Sequence, residues 1–215
     1  MGSIDCKAIL FDLDGTLVDS FPMVERVLRG WAAEKGVDPE AVLAASHGRR
    51  DVDVIAIVAP DLDAPSEAAA IAEREARESH GLKEIPGALH LVESLPAHRW
   101  GVVTSGMRIV ATARLEGAGF PLPRTLVTAD DIREGKPHPA PFLAAAADLG
   151  FSPSDCLVFE DAPAGVRAAQ AAGMDCIGIG PEVHTLVGSG MTAAVPDLAG
   201  VKVASGEGLT VTWTD

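Results

Sequence analysis

A short apolar run that ends in two carboxylates constrains this chain more than any other feature. Lys7-Ala8-Ile9-Leu10-Phe11 leads straight into Asp12-Leu13-Asp14-Gly15. Four or five apolar residues followed by a helix breaker predict a buried strand. Such a strand cannot deliver two uncompensated charges to the edge of a core without cost. Taken alone, Asp-x-Asp-Gly is also an ordinary solvated turn. The alternative is a bound hard cation, because carboxylate oxygens suit magnesium and this spacing sets two oxygen sources on one turn. An Asp held in that way can act as a nucleophile and form an aspartyl-phosphate. Gly15 lets the chain bend away without a side chain in the path.

Three stretches downstream repeat the pattern. Trp100-Gly101-Val102-Val103 is a second apolar strand, and it ends in Thr104-Ser105-Gly106. Hydroxyls and N–H groups just ahead of a helix form an anion cradle, although the same tripeptide also serves as a helix cap. Gly135-Lys136-Pro137-His138-Pro139 fences one of only five lysines between glycine and proline. Lys136 is then either a fixed ammonium for phosphate and carboxylate or a surface turn residue. Cys156-Leu157-Val158-Phe159 delivers Glu160 and Asp161 to a loop rich in proline and glycine. These two acids either cap the next helix or complete an oxygen cage with Asp12 and Asp14.

Strand candidates fall at 8–11, 100–104, 125–128, 156–159, 175–179 and 192–195. Helical patterns at 107–118, 138–149 and 163–172 lie between them. This alternation predicts an α/β fold, a doubly wound parallel sheet covered on both faces. The four chemical stretches all follow strands, where such sheets bind ligands. Residues 207–213 read as an added edge strand or half of a hairpin. About 85 residues after the first strand read as helices at 21–35, 39–46, 50–58 and 66–79, with glycines as stops and prolines near starts. Within them Glu73, Arg74, Glu75, Arg77 and Glu78 read as a solvated helix face. The expected division is a core of 1–17 and 84–215 with a small helical cap, 18–83, inserted.

The formal charge of −14 argues against nucleic acid or an anionic membrane as partner. An anionic substrate would therefore need local cations: a metal, Lys136, and Arg49, Arg50 or Arg108. Cys6, Cys156 and Cys176 have no metal-site spacing and sit beside apolar runs, which predicts buried free thiols in a reducing compartment. No apolar run reaches membrane-spanning length and no leader pattern precedes the first strand. A cytoplasmic protein is expected, and nothing demands more than a monomer.

Together the four stretches resemble the haloacid dehalogenase superfamily from Lys7 to about Gly180. The resemblance implies Asp12 as nucleophile, Asp14 as general acid/base, Thr104 as the second-motif hydroxyl and Lys136 as the third-motif lysine. Glu160 and Asp161 match the metal carboxylates, so that Mg2+ would be held by Asp12, the Asp14 carbonyl and Asp161, with Glu160 direct or through water. Ser105 and Gly106 would supply N–H groups to phosphate.

The cap carries a second resemblance. Ser46-His47-Gly48-Arg49-Arg50-Asp51-Val52-Asp53, with Ala59-Pro60-Asp61, looks like the 2-deoxyglucose-6-phosphate and glycerol-phosphate phosphatases. It implies that Ser20, His47, Arg49 or Arg50, Asp53 and Arg108 contact the substrate. The alternative is that His47 caps a helix and Asp53 pairs with one of the arginines. Thr16 tilts the reading toward hydrolysis of a small phosphorylated metabolite and away from β-phosphoglucomutase-like phosphoryl exchange.

Overall fold

The computed structural model describes residues 1–183 and 190–214. In chain order the elements are β1 (Gly2–Cys6), β2 (Ala8–Phe11), β3 (Val18–Asp19), α1 (Phe21–Lys35), α2 (Pro39–Ser46), α3 (Asp51–Val58), α4 (Ala64–Glu78) and β4 (Lys83–Glu84). There follow α5 (Ala88–Glu93), β5 (Trp100–Val103), α6 (Arg108–Gly117), β6 (Thr125–Val127), α7 (Ala140–Leu149), β7 (Cys156–Glu160), α8 (Pro163–Ala171), β8 (Asp175–Ile179), β9 (Ala193–Val195), β10 (Val201–Ser205) and β11 (Leu209–Trp213).

Six strands pair in parallel in the order β6-β5-β2-β7-β8-β9. Every residue of β2 is buried because the sheet is covered on both faces. Ile9 and Phe11 join one core with Leu91, Val92 and Leu115 of α5 and α6. Ala8 and Leu10 join the other with Phe142 and Val166 of α7 and α8. This is the two-residue alternation of a strand with apolar layers above and below. Phe11 and Phe159 stack at 5.3 Å between centroids, and burying each contributes about 1.5–3 kcal/mol. That packing fixes β2 against β7, and so fixes where Asp12 emerges beside Glu160.

The helices after β3 enclose their own core around Leu28, Trp31, Ile55 and Ile71. α1 begins with a proline in its first turn and stops at Gly36, which is left-handed at φ 69°. A two-stranded antiparallel ribbon, Val18–Asp19 with Lys83–Glu84, carries the chain into and out of this helical group. α4 starts at Ala64, two residues ahead of the expected start, because Pro65 is admitted in the first turn.

Two features differ from the sequence reading. The tail forms β11, which lies at the centre of a second, antiparallel sheet of order β1-β11-β10. It is half of a hairpin with β10, but β1 covers its other side, so it is no edge. Glu75 is not on a solvated face either. It is 4% exposed, while its neighbours Arg74 and Glu78 pair near the surface with Glu34 and Arg26. The three cysteines are free and buried. Among the described residues, no helix is long and apolar enough to cross a membrane.

Candidate active site

Asp12 leaves the end of β2 with its N–H bonded to the Phe159 carbonyl at 3.0 Å. Lys136 arrives from the loop before α7 and is 3% exposed. Its ammonium donates to Asp12 Oδ1, to Glu160 Oε1 at 2.7 Å and to the Val103 carbonyl at 2.9 Å. Three donors thus find three acceptors from three parallel strands, which is how a buried lysine becomes tolerable. Burial pulls its pKa down, but Asp12 and Glu160 outweigh that and hold the ammonium above its ordinary value. Burial raises Asp12 and Glu160, with Lys136 opposing it at both. Lys136 is therefore a buried fixed cation and no surface turn residue.

Glu160 points inward. Its Oε2 accepts from the Ala162 N–H at 2.8 Å, so both oxygens are engaged. Gly165 on α8 makes the room, since a Cβ there would sit 1.6 Å from Glu160 Oε1. Glu160, which the resemblance implies as a metal ligand directly or through a water, here accepts from Lys136 and from the Ala162 N–H. Gly165→Ala is expected to lower unfolding stability by about 1–3 kcal/mol through overpacking. Gly30→Ala on α1, where a Cβ meets nothing within 4 Å, should raise it by about 0.5–1 kcal/mol. Thermal unfolding of the two variants checks both signs.

Asp161 faces the opposite way, toward the cavity. His47 Nε2 lies 2.9 Å from its Oδ2, and His47 Nδ1 lies 2.8 Å from Glu182 Oε2. Thr16 donates to Asp161 Oδ1 at 3.4 Å. The hydrogen bond with Asp161 raises His47 to about 9 against its partial burial. Burial pushes Asp161 up to about 6, with His47 opposing. Gly15, at φ 77°, allows this approach, because a Cβ there would fall 2.2 Å from Asp161 Oδ2.

Among the described residues, no three His, Cys, Asp or Glu side chains already converge as a ligand set. The donor chemistry nevertheless fits a hard divalent cation. Burial raises both Asp12 and Asp161, Asp12 raises Asp161 further, and Lys136 and His47 oppose these rises. Two such oxygens and a backbone carbonyl are the donors that magnesium accepts.

Asp14 is clamped from two sides. Ser20 Oγ donates to its Oδ1 at 2.5 Å, and Arg114 Nη1 donates to its Oδ2 at 2.6 Å. Ser20 is fully buried and orients Asp14, so its expected direct contact with substrate is replaced by a supporting one. Arg114 went unnoticed in the sequence because it lies on the buried face of α6, where periodicity predicts apolar residues. Its Nη2 continues to Glu75 Oε2 at 2.9 Å.

Asp12, Asp14, His47, Arg49, Thr104 and Asp161 share the wall of one cavity of about 350 Å³, which Ser105 and Gly106 also line. Thr104 Oγ1 accepts the Gly106 N–H at 3.0 Å, and Ser105 Oγ donates to the Gly48 carbonyl at 3.0 Å. The Gly106 N–H, expected to face phosphate, is thus engaged inside its own turn. Five residues expected at the substrate, Ser20, Arg50, Asp53, Arg108 and Lys136, do not line this cavity. Arg50 forms a two-pronged pair with Asp53 at 2.7 and 2.8 Å and reaches the carbonyls of Ile132 and Arg133. Both line an adjoining opening beside Lys136. Arg108 bonds Asp131 and the Leu126 carbonyl on the exposed start of α6. Arg50 is held by the carboxylate three residues on, and Arg108 by Asp131 from the loop after β6.

Comparison with known proteins agrees with this architecture. The chain is 42% identical over 185 residues to hexitol phosphatase A of Escherichia coli, covering 84% of this chain and 86% of that one. It is 40% identical over 190 residues to glycerol-1-phosphate phosphohydrolase 2 of Saccharomyces cerevisiae, covering 82% and 76%. The crystal structure of a β-phosphoglucomutase from Clostridium difficile superposes with a TM-score of 0.79 at 20% identity, over 92% of this chain and 93% of that one, a likeness of fold. Residues 6–173 match the model of the haloacid dehalogenase-like hydrolases, and with carboxylates and lysine gathered at the ends of parallel strands the chain belongs to that family.

Proposed function

We propose that the protein is a magnesium-dependent phosphatase that hydrolyses a small phosphorylated sugar or polyol through an aspartyl-phosphate. The observation that carries this reading is the pair of differently held aspartates. Asp12 is set against Lys136 with one oxygen left for attack, and Asp14 is oriented at the cavity by Ser20 and Arg114. Asp12 attacks phosphorus in line while Asp14 protonates the leaving oxygen. Asp14 then takes a proton from the water that opens the aspartyl-phosphate. Lys136 and Thr104 stand where transferred charge accumulates, and fixed donors of this kind stabilise it without reorganisation.

Magnesium, held by Asp12, Asp161 and the Asp14 carbonyl, would supply neutralisation of the phosphate charge. His47 and Arg49 face the substrate from the helical group. Residues 18–83 act as a cap over a core of 1–17 and 84–215, and its contacts with the core exclude bulk water. The free buried thiols support a reducing, cytoplasmic setting, and the acidic surface supports a small metabolite as partner of a monomer.

The names of the relatives support a phosphorylated polyol or sugar as substrate. A panel of such esters, assayed with magnesium for released phosphate, tests this. Hydrolysis of at least one hexose, hexitol or glycerol phosphate is expected, with no bisphosphate primer. Interconversion of glucose 1- and 6-phosphates faster than phosphate release would instead assign a mutase.

A further inference from the structure

Beyond Asp14 the cavity reaches a wall whose two carboxylates take no part in the phosphoryl-transfer steps. Asp51 at the start of α3, Glu75 on α4 and Arg114 on α6 line it together. Glu75 and Arg114 are 4% and 3% exposed. Arg114 spends Nη1 on Asp14 and Nη2 on Glu75, at 2.6 and 2.9 Å. Its Nε is buried with no acceptor among the described residues. Asp51 lies within electrostatic reach of Arg114 and Asp14, yet its carboxylate has no hydrogen bond among the described residues.

Asp51 is thus a partly accessible carboxylate on the cavity wall that the protein leaves without a hydrogen bond, one that a ligand donor would complete. Phe21, Val24, Leu28 and Leu43 make an apolar lining to the same cavity. Polar groups together with an apolar wall suit a polyhydroxylated carbon chain, whose hydroxyls need both donors and acceptors and whose C–H edges do not. A second anion fits badly. Glu25 and Glu182 add to the acids along the lining, His47 is taken up by Asp161 and Glu182, and Arg114 already serves two carboxylates, which leaves Arg49 alone against them.

We propose that Asp51, Glu75 and Arg114 form the subsite for the leaving alcohol, binding its hydroxyls and selecting an uncharged sugar or polyol over a leaving group that bears a second anionic group. The assignment rests on the phosphatase reading above. It makes Asp51 and Glu75 specificity-determining residues contributed by the helical group, while Arg114 joins them to Asp14 from the core.

The test compares kcat/KM for a hexitol 6-phosphate with that for 2-phosphoglycolate, in magnesium, for the wild type, Asp51→Asn and Glu75→Gln. The wild type should favour the hexitol phosphate. In Asp51→Asn this preference should fall by about tenfold or more, the effect of weakening one charge-assisted hydrogen bond. The change should come from a higher KM for the hexitol phosphate and a lower one for 2-phosphoglycolate. Glu75→Gln should shift the preference the same way. If it does not fold, Asp51→Asn decides, since that side chain leaves no hydrogen-bond partner behind. A preference within twofold of the wild type in every folded variant, or a wild type that favours 2-phosphoglycolate, overturns the subsite and leaves the phosphatase standing. No hydrolysis of any ester, p-nitrophenyl phosphate included, overturns both.

Discussion

Asp12→Asn should leave a folded protein with almost no turnover: kcat on an aryl phosphate is expected to fall by about 10⁴-fold or more, the scale seen when a group acting with its neighbours as one unit is removed. The amide keeps the shape of the carboxylate but has neither its charge nor its nucleophilic oxygen. Lys136 remains bonded to Glu160 and to the Val103 carbonyl, so the ammonium is not orphaned. The far-ultraviolet spectrum and a cooperative unfolding transition should therefore survive. Retention of more than a few per cent of the wild-type rate in a folded Asp12→Asn protein would remove Asp12 from its role.

The second large effect concerns Lys136, in both activity and stability. Lys136→Met keeps the unbranched stem of the side chain and deletes the ammonium, leaving Asp12 and Glu160 buried without their shared cation. Breaking a buried pair in this way costs about 3–5 kcal/mol, and activity should be lost with it. The loss depends on pH with a definite sign. Burial raises both carboxyls in the folded state and Lys136 opposes that rise, so its removal raises them further. A folded state that binds more protons than the unfolded chain loses stability as pH increases. In the presence of a chelator, the deficit in Tm relative to wild type should therefore narrow toward pH 5 and widen toward pH 8. Adding Glu160→Gln should recover part of the stability and none of the activity. A deficit that is flat with pH would show that the carboxylates are not the origin of the penalty.

Local patterns read correctly where one strand or one helix end determines the outcome. β2, β5 and β7 are apolar runs that lead into candidate site residues, and each is buried on both faces. The limits of α1 and α2 follow from proline at the start and glycine or an Asp cap at the boundary. What was not legible depends on partners far away in the chain. The alternation of Leu209-Thr210-Val211-Thr212-Trp213 shows a strand with one buried face, but its central position depends on pairing with residues 2–6. Glu75 lies among charged residues that are solvated, and only Arg114 from another helix explains its burial.

The same limit applies in the site. The acids were legible because they follow strand ends, and Lys136 because glycine and proline fence it, whereas Arg50 and Arg108 share their sequence neighbourhood with the candidate site loops yet turn to other carboxylates and carbonyls. Charge spacing alone does not say which arginine faces the cavity. Arg114 does, from a position ten residues beyond Thr104 that the helix rotates inward.

The most direct test of the account is to trap the phosphoryl group on the chain. Wild-type protein turning over p-nitrophenyl phosphate with magnesium is quenched in acid and treated with borohydride, which reduces an acyl phosphate but not a free carboxylate, and the peptides are read by mass spectrometry. The account predicts reduction of the Asp12 side chain to an alcohol, with Asp14, Glu160 and Asp161 unchanged and with no reduced residue in Asp12→Asn. Reduction at a different residue, or none at all under conditions where phosphate is released in a burst, would contradict it.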